Sequence, residues 1–209
     1  MRLRSALIID SFYEDGEDIR NLALSCSYQA KVGATYPGGE AYCDSRDWEA
    51  VRQDIIRELG VASVERMPEG KNFRQGKFRL ALAEDEKTRP DGVHQDVQRY
   101  SGIVYLARDQ DCRGGIGLYR CRITGETSMT RVWLQSVSDR TNVRVDDPRF
   151  PQTVRAYCND WSNWQQIGEL PMRFNRLIVL MARCFHASTG MFGTSANNGR
   201  LTQHFEMYL

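Results

Sequence analysis

Val93-His94-Gln95-Asp96-Val97 is the stretch on which the fold and the chemistry both turn. Residues two apart on an extended strand face the same side. His94 and Asp96 therefore project together, while Val93, Gln95 and Val97 face away. The plain alternative is an ordinary surface His–Asp pair. Histidine is scarce: His94, His186 and His204 are the only three in 209 residues. A third ligand from this residue type thus has two sources. His186 ends the segment Arg183-Cys184-Phe185-His186, just after the apolar run Leu177-Ile178-Val179-Leu180-Met181.

Around this stretch the chain reads mainly as short strands. Phe78–Ala83, Val93–Gln98, Gly102–Ala107, Ile116–Ile123, Asn175–His186 and Arg200–Tyr208 carry strand-type patterning. Upstream, Glu17–Val32 and Ser45–Leu59 have helical spacing, the second with Ser45 as cap and Gly60 as stop. Tyr36-Pro37-Gly38-Gly39 marks a turn between them. Thr130–Leu170 is less decided; Pro148 and Pro151 interrupt it, and Val154–Ile167 reads as an external helix with Trp161 and Trp164 as packing residues, as is Trp133. Helices first and strands afterwards predict a mainly β architecture with flanking α-helices, a sandwich or barrel. The polar segment Glu84–Gly92 precedes His94 and has the composition of a lid.

Composition narrows the function classes. Apolar residues make up 41% and charged residues 26%, an ordinary globular balance. With 28 basic against 27 acidic residues the formal charge is +1, so no phosphate-backbone binder is expected. No apolar run approaches the roughly 18 residues of a membrane span, and the apolar stretch within Met1–Asp10 is too short for the pattern expected of a signal peptide. The six cysteines are dispersed without a C-x-x-C pair, which disfavours a zinc finger. They read as reduced thiols in a cytoplasmic protein.

Two histidines and one carboxylate on one face of a metal, with the remaining positions open, is a donor set of non-haem Fe(II) oxygenases. Arg200 opens Arg200-Leu201-Thr202-Gln203-His204-Phe205. On a strand, Arg200, Thr202 and His204 share a face, and a guanidinium beside a hydroxyl suits a carboxylate. A solvated arginine after the Asn197-Asn198-Gly199 turn is the alternative. Arg79 is either a substrate contact or an edge-strand charge. Gln95 and Gln98 flank the ligand strand and can reach a substrate. His204 is either a pocket residue or a satisfied strand histidine, and a ligand set using it stays open.

The order of H-x-D, a distant histidine and then arginine resembles the Fe(II)/2-oxoglutarate-dependent dioxygenase superfamily, in its prolyl-4-hydroxylase-like branch. Ile103-Val104-Tyr105-Leu106, Cys112-Arg113-Gly114-Gly115-Ile116-Gly117-Leu118-Tyr119 and Phe174-Asn175-Arg176-Leu177-Ile178-Val179-Leu180 resemble successive strands of that branch. Tyr36-Pro37-Gly38-Gly39 resembles a segment of small bacterial members. The resemblance implies a double-stranded β-helix, a jelly-roll or cupin-like core, with residues 67–209 as the core and 1–66 as a helical buttress of one 1–209 domain. It implies Fe(II) on His94, Asp96 and His186, with 2-oxoglutarate and O2 as cosubstrates. Arg200, with Tyr105 and Thr202, would hold the 2-oxoglutarate; Arg79, Gln95 and His204 would meet the substrate. Asp96 stands where related halogenases lack a carboxylate. The implied activity is hydroxylation of an unactivated C–H of an amino acid or amino-acid-derived small molecule, as in natural-product biosynthesis. A peptidyl hydroxylase and a non-catalytic jelly-roll binding module are the alternatives.

Overall fold

The apolar runs build two antiparallel sheets. The computed structural model describes residues 6–30, 36–60, 74–88 and 92–208. Six strands form the larger sheet: β1 (Ala6–Ile9), β2 (Gly39–Ala41), β3 (Lys77–Ala81), β4 (Tyr100–Tyr105), β7 (Arg176–Met181) and β9 (Arg200–Met207). Their order is β1-β7-β4-β9-β3-β2. The smaller sheet holds β5 (Gly115–Cys121), β6 (Trp164–Pro171) and β8 (His186–Ser188), in the order β6-β5-β8. Four helices, α1 (Gly16–Leu24), α2 (Trp48–Leu59), α3 (Arg131–Thr141) and α4 (Phe150–Asn159), complete a mixed α/β architecture.

The larger sheet buries both faces, whereas strand β6 at the edge of the smaller one is largely exposed. The outer face of the larger one presents Phe78, Val104, Leu177, Val179, Leu201, Phe205 and Met207 to Ile19 and Ala23 of α1 and to Trp48, Ile55 and Ile56 of α2. Its inner face sends Ile103, Tyr105, Ile178 and Leu180 against Ile116, Met172 and Phe192. The smaller sheet turns Tyr119, Cys121, Trp164, Phe185 and Ala187 outward onto Trp133, Val137, Phe150 and Tyr157. Alternation along β4 and β9 thus feeds one core under the helices and another between the sheets.

Several elements differ from the sequence expectation. The cap of α2 is Asp47, whose Oδ1 accepts from Ala50 N at 3.0 Å, not Ser45; Gly60 ends the helix at φ 64° as expected. Val154–Ile167 is not one helix: α4 ends at Asn159 and Trp164 begins β6. Pro151 lies in the first turn of α4, where a missing N–H costs nothing. Helix α3 fell inside the undecided stretch. Asn175–His186 is not one strand either. It leaves the larger sheet at Met181 and enters the smaller one at His186. The N-terminal part supplies edge strands β1 and β2 besides its helices. Strands of three or four residues carry too few alternations to register as a pattern. Ala83–Thr88 is a 3-10 turn, so the expected lid segment begins ordered; residues 89–91, and Lys31 and Val32 of the first predicted helix, lie outside the described residues.

Phe205 is fully buried where β9 meets the helices. Phe205→Ala is expected to lower unfolding free energy by about 3–5 kcal/mol through lost burial and a residual cavity. Equilibrium denaturation checks this.

Candidate metal centre

His94 does not lie in a regular strand. It forms an isolated antiparallel bridge with His186, the first residue of β8. His94 N donates to His186 O at 2.9 Å, and His186 N donates to His94 O at 2.8 Å. Residues opposed in this way send their side chains to the same side. The two rings accordingly lie 4.6 Å apart between centroids. Asp96 is fixed separately, its N–H donating to Ala182 O at 2.7 Å in the turn after β7. Its carboxylate reaches 3.9 Å from His94 Nε2 and 3.5 Å from His186 Nε2. One donor atom from each of the three residues lies within 4.8 Å of the other two, a spacing at which all three can hold a single metal ion.

The groups behind these ligands aim them. His94 Nδ1 lies 3.0 Å from Gly92 O and His186 Nδ1 lies 2.8 Å from Cys184 O. A carbonyl accepts only, so each Nδ1 carries hydrogen and, in the neutral ring, Nε2 keeps the lone pair. Asp96 Oδ2 accepts from Gln98 Nε2 and Ser101 Oγ, both at 3.0 Å, and Gln98 Nε2 also meets Ser101 Oγ at 2.8 Å. Burial alone would raise the Asp96 carboxyl, but the His186 ring, the charge of both histidines and the Ser101 hydroxyl hold it well below the usual carboxylate range. Burial alone would lower His186; the Asp96 carboxylate and the Cys184 carbonyl push it up to about 10.

The three donors open on a cavity of about 160 Å³ between the sheets. Arg79, His204, Glu206, Tyr36, Ser101, Ile103, Ile116 and Ser188 also line it. Arg79 is held by Glu40, with Nε 2.9 Å from Oε1, and Lys77 pairs with the same carboxylate at 3.3 Å. His204 lies 2.9 Å from the Thr202 hydroxyl. Burial, reinforced by the charges of Arg79, Lys77 and Arg200, holds its imidazole neutral, well below the ordinary value.

The other predicted residues lie elsewhere. Gln95 turns away from the donors; its Oε1 accepts from Met129 N at 2.9 Å. Tyr105 is fully buried and its hydroxyl donates to Leu170 O at 3.1 Å. Thr202 stands between Arg79 and Tyr105 in the register of three adjacent strands. Arg200 is also buried, behind the cavity wall rather than along it. Its Nη2 donates to Gly115 O at 2.8 Å, and its Nη1 faces Thr189 O at 3.0 Å and Met172 Sδ at 2.9 Å. Its terminal nitrogens are therefore occupied, and only Nε lacks an acceptor. Tyr36, Ser101 and Glu206 were not anticipated. Glu206 continues the Arg200-Thr202-His204 alternation by one step, a signal already present in β9. Ser101 has no local signature.

Two imidazoles and a carboxylate thus converge between two antiparallel sheets, at a polar cavity, as a candidate metal centre. The chain belongs to the family of unknown function DUF6445, whose profile matches residues 2–206. No curated protein matches it. Among solved structures it is similar to an N-substituted L-amino acid dioxygenase from Burkholderia ambifaria AMMD, at 14% identity and TM-score 0.43, over 96% of this chain and 81% of that one. It is also similar to the Fe(II)/α-ketoglutarate-dependent dioxygenase TqaL, at 8% identity and TM-score 0.44, over 98% of this chain and 82% of that one. No helix among the described residues is long and apolar enough to cross a membrane.

Two outcomes follow from this geometry. The Asp96 carboxylate and the Cys184 carbonyl favour a proton on His186 in the metal-free site, and a metal at Nε2 must displace it. Divalent metal affinity should therefore rise with pH between 6 and 8.5, by up to about tenfold per pH unit. Calorimetry in buffers of different ionisation enthalpy should detect the released proton. Gln98→Leu removes one donor to Asp96 and should weaken metal binding about tenfold with the fold retained; a competition assay with a chromophoric chelator measures this.

Proposed function

We propose that this chain is a non-haem Fe(II)/2-oxoglutarate-dependent oxygenase built on a double-stranded β-helix, with residues 1–209 as one domain. The observation that carries the reading is the His94–His186 bridge with Asp96 beside it, all three aimed into one cavity. Iron fits this donor set: two neutral nitrogens and one carboxylate oxygen, with Nδ1 of each ring tied back to a carbonyl.

The keto-diacid fits as well. Arg200 is 1% exposed and makes no ion pair among the described residues. A buried guanidinium without an acid partner is costly, and a carboxylate reaching its Nε would relieve that cost. In this reading Arg200 receives the remote carboxylate of 2-oxoglutarate, with Tyr105 and Thr202 forming the wall beside it. Fe(II), 2-oxoglutarate and O2, when bound, would supply oxidation of a C–H bond, with succinate and CO2 as co-products.

The chain's own residues do the positioning. Ser101 and Gln98 hold the Asp96 carboxylate in place by hydrogen bonds. Ile103 and Ile116 place apolar side chains among the otherwise polar residues that line the cavity. Arg79 and Glu206 offer opposite charges to a substrate within the same cavity. That pairing, and the small volume, support an amino acid or an amino-acid-derived small molecule over a peptide chain. The three metal donors have no task in a non-catalytic binding module. The six cysteines form no disulfide, in keeping with a reducing, cytoplasmic setting.

Anaerobic protein given Fe(II) and 2-oxoglutarate should develop a weak metal-to-ligand charge-transfer band in the visible region. His94→Ala and Asp96→Ala should abolish both the band and succinate formation, while melting curves stay within a few degrees of wild type. A ferrous wild-type protein with no band and no succinate would refute the assignment.

A further inference from the structure

Two cysteines outside the metal centre stand close to each other. Cys26 follows the end of α1, with its N–H donating to Ala23 O at 3.2 Å. Cys43 follows β2, and its carbonyl accepts from Trp48 Nε1 at 2.6 Å. Both backbones are therefore held. Between them Gln29 and Glu40 form an antiparallel bridge, exchanging two backbone hydrogen bonds of 3.0 Å. A Cβ on Gly39 would stand 2.9 Å from the Tyr28 Cβ, so the two segments run closer than side chains allow. Cys26 lies three residues before Gln29, and Cys43 three residues after Glu40. Continued outward, the pairing sets the two cysteines opposite each other. Opposed antiparallel residues lie about 4.5–5.5 Å apart at Cα, within the span of a disulfide.

The side chains agree with this placement. The Cys43 thiol is a hydrogen-bonding neighbour of the Cys26 thiol. Both pack on the core under the larger sheet, and both are only partly buried. Their surroundings differ. Cys26 Sγ donates to Leu22 O at 3.3 Å in a partly buried contact, whereas Cys43 Sγ donates to Ser45 Oγ at 3.2 Å in an exposed one. Burial, and then the neighbouring Cys43, raise the Cys26 thiol above its ordinary pKa, so it stays protonated at neutral pH. Cys43 is thus the thiol that a solution oxidant reaches first, with Cys26 behind it.

We infer that Cys26 and Cys43 form an oxidative modification site, a dithiol that hydrogen peroxide closes to a disulfide within the folded chain. The Cys43 sulfur attacks one peroxide oxygen, the O–O bond breaks, and the thiol proton leaves with the other oxygen as water. Cys26 then attacks the sulfur of the resulting sulfenic acid. The S–O bond breaks, and the departing hydroxyl takes the Cys26 proton as a second water. Two thiols lose two electrons, one peroxide gains them, and a thiol reductant reverses the change. The disulfide ties both ends of the segment that carries Tyr36 and Pro37 to the cavity wall and Glu40 to Arg79. Tyr36 packs there on Ala81 and Met191. Oxidation therefore fixes that wall from outside the metal centre, whatever the centre binds.

The test treats the full chain with hydrogen peroxide in the presence of a chelator, so that trace metal drives no oxidation. The thiol count in denaturant should fall by two, and a non-reducing digest should yield a Cys26–Cys43 linked peptide, lighter by two hydrogens, from monomeric protein. Melting temperature should rise by about 5 °C, because a short loop is closed, and should return on reduction. Cys26→Ser should accumulate a dimedone-trapped sulfenic acid on Cys43, while Cys43→Ser should carry less than about a tenth as much on Cys26. No linked peptide, or one that forms only after unfolding in urea, overturns the inference. A melting temperature that falls on oxidation overturns the fit of the bond to the native backbone, and an adduct mainly on Cys26 overturns the order of attack.

Discussion

The interaction on which the site depends is the reciprocal pair of backbone hydrogen bonds between His94 and His186. His186 begins β8 of the smaller sheet, His94 meets it through an isolated bridge, and both rings line the cavity. Their mutual distance is therefore set by backbone pairing, and side-chain rotamers have little left to decide. Asp96 is held from a third direction, by Ala182 O at its amide and by Ser101 and Gln98 at its carboxylate. A donor set fixed at its backbone and behind its side chains is ready before a metal arrives, so little ordering entropy remains to oppose binding.

Charge on the inner face of the larger sheet obeys a second constraint. Lys77 and Arg79 share Glu40, which offsets much of their desolvation. Arg200, deeper on the same face, has carbonyl oxygens and a thioether about it but no acid. Carbonyl dipoles solvate a guanidinium without neutralising it. Burial first, and then the charges of Arg79, Lys77 and Arg200, keep His204 neutral, so one strand presents a cation, a hydroxyl and an uncharged imidazole in alternation.

Much of this was legible in the order of residues. The H-x-D pair shows in the sequence because its two residue types are themselves metal donors, whatever backbone carries them. Histidine scarcity made His186 the nearest third ligand. The alternation from Arg200 was readable because β9 is long enough to show it. Less was readable where elements are short or where the chain changes sheet. β1 and β2 are too brief for periodicity, and the switch between Met181 and His186 leaves no mark in an apolar run that continues through it. Tyr36 was visible only as part of a turn; its place over Ala81 follows from strand pairing between distant segments.

Sequence alone determined which residues are candidate metal donors, which faces of the longer strands are apolar, and that α2 stops at Gly60. These follow from local rules of spacing, capping and composition, which act over a few residues. Tertiary structure alone decided that His94 opposes His186, that Arg200 spends its terminal nitrogens on carbonyls, that Gln95 faces Met129, and that Tyr36 reaches the cavity. Each of these is a contact between segments far apart in the chain, and its geometry is set by sheet register and by the packing of two cores at once.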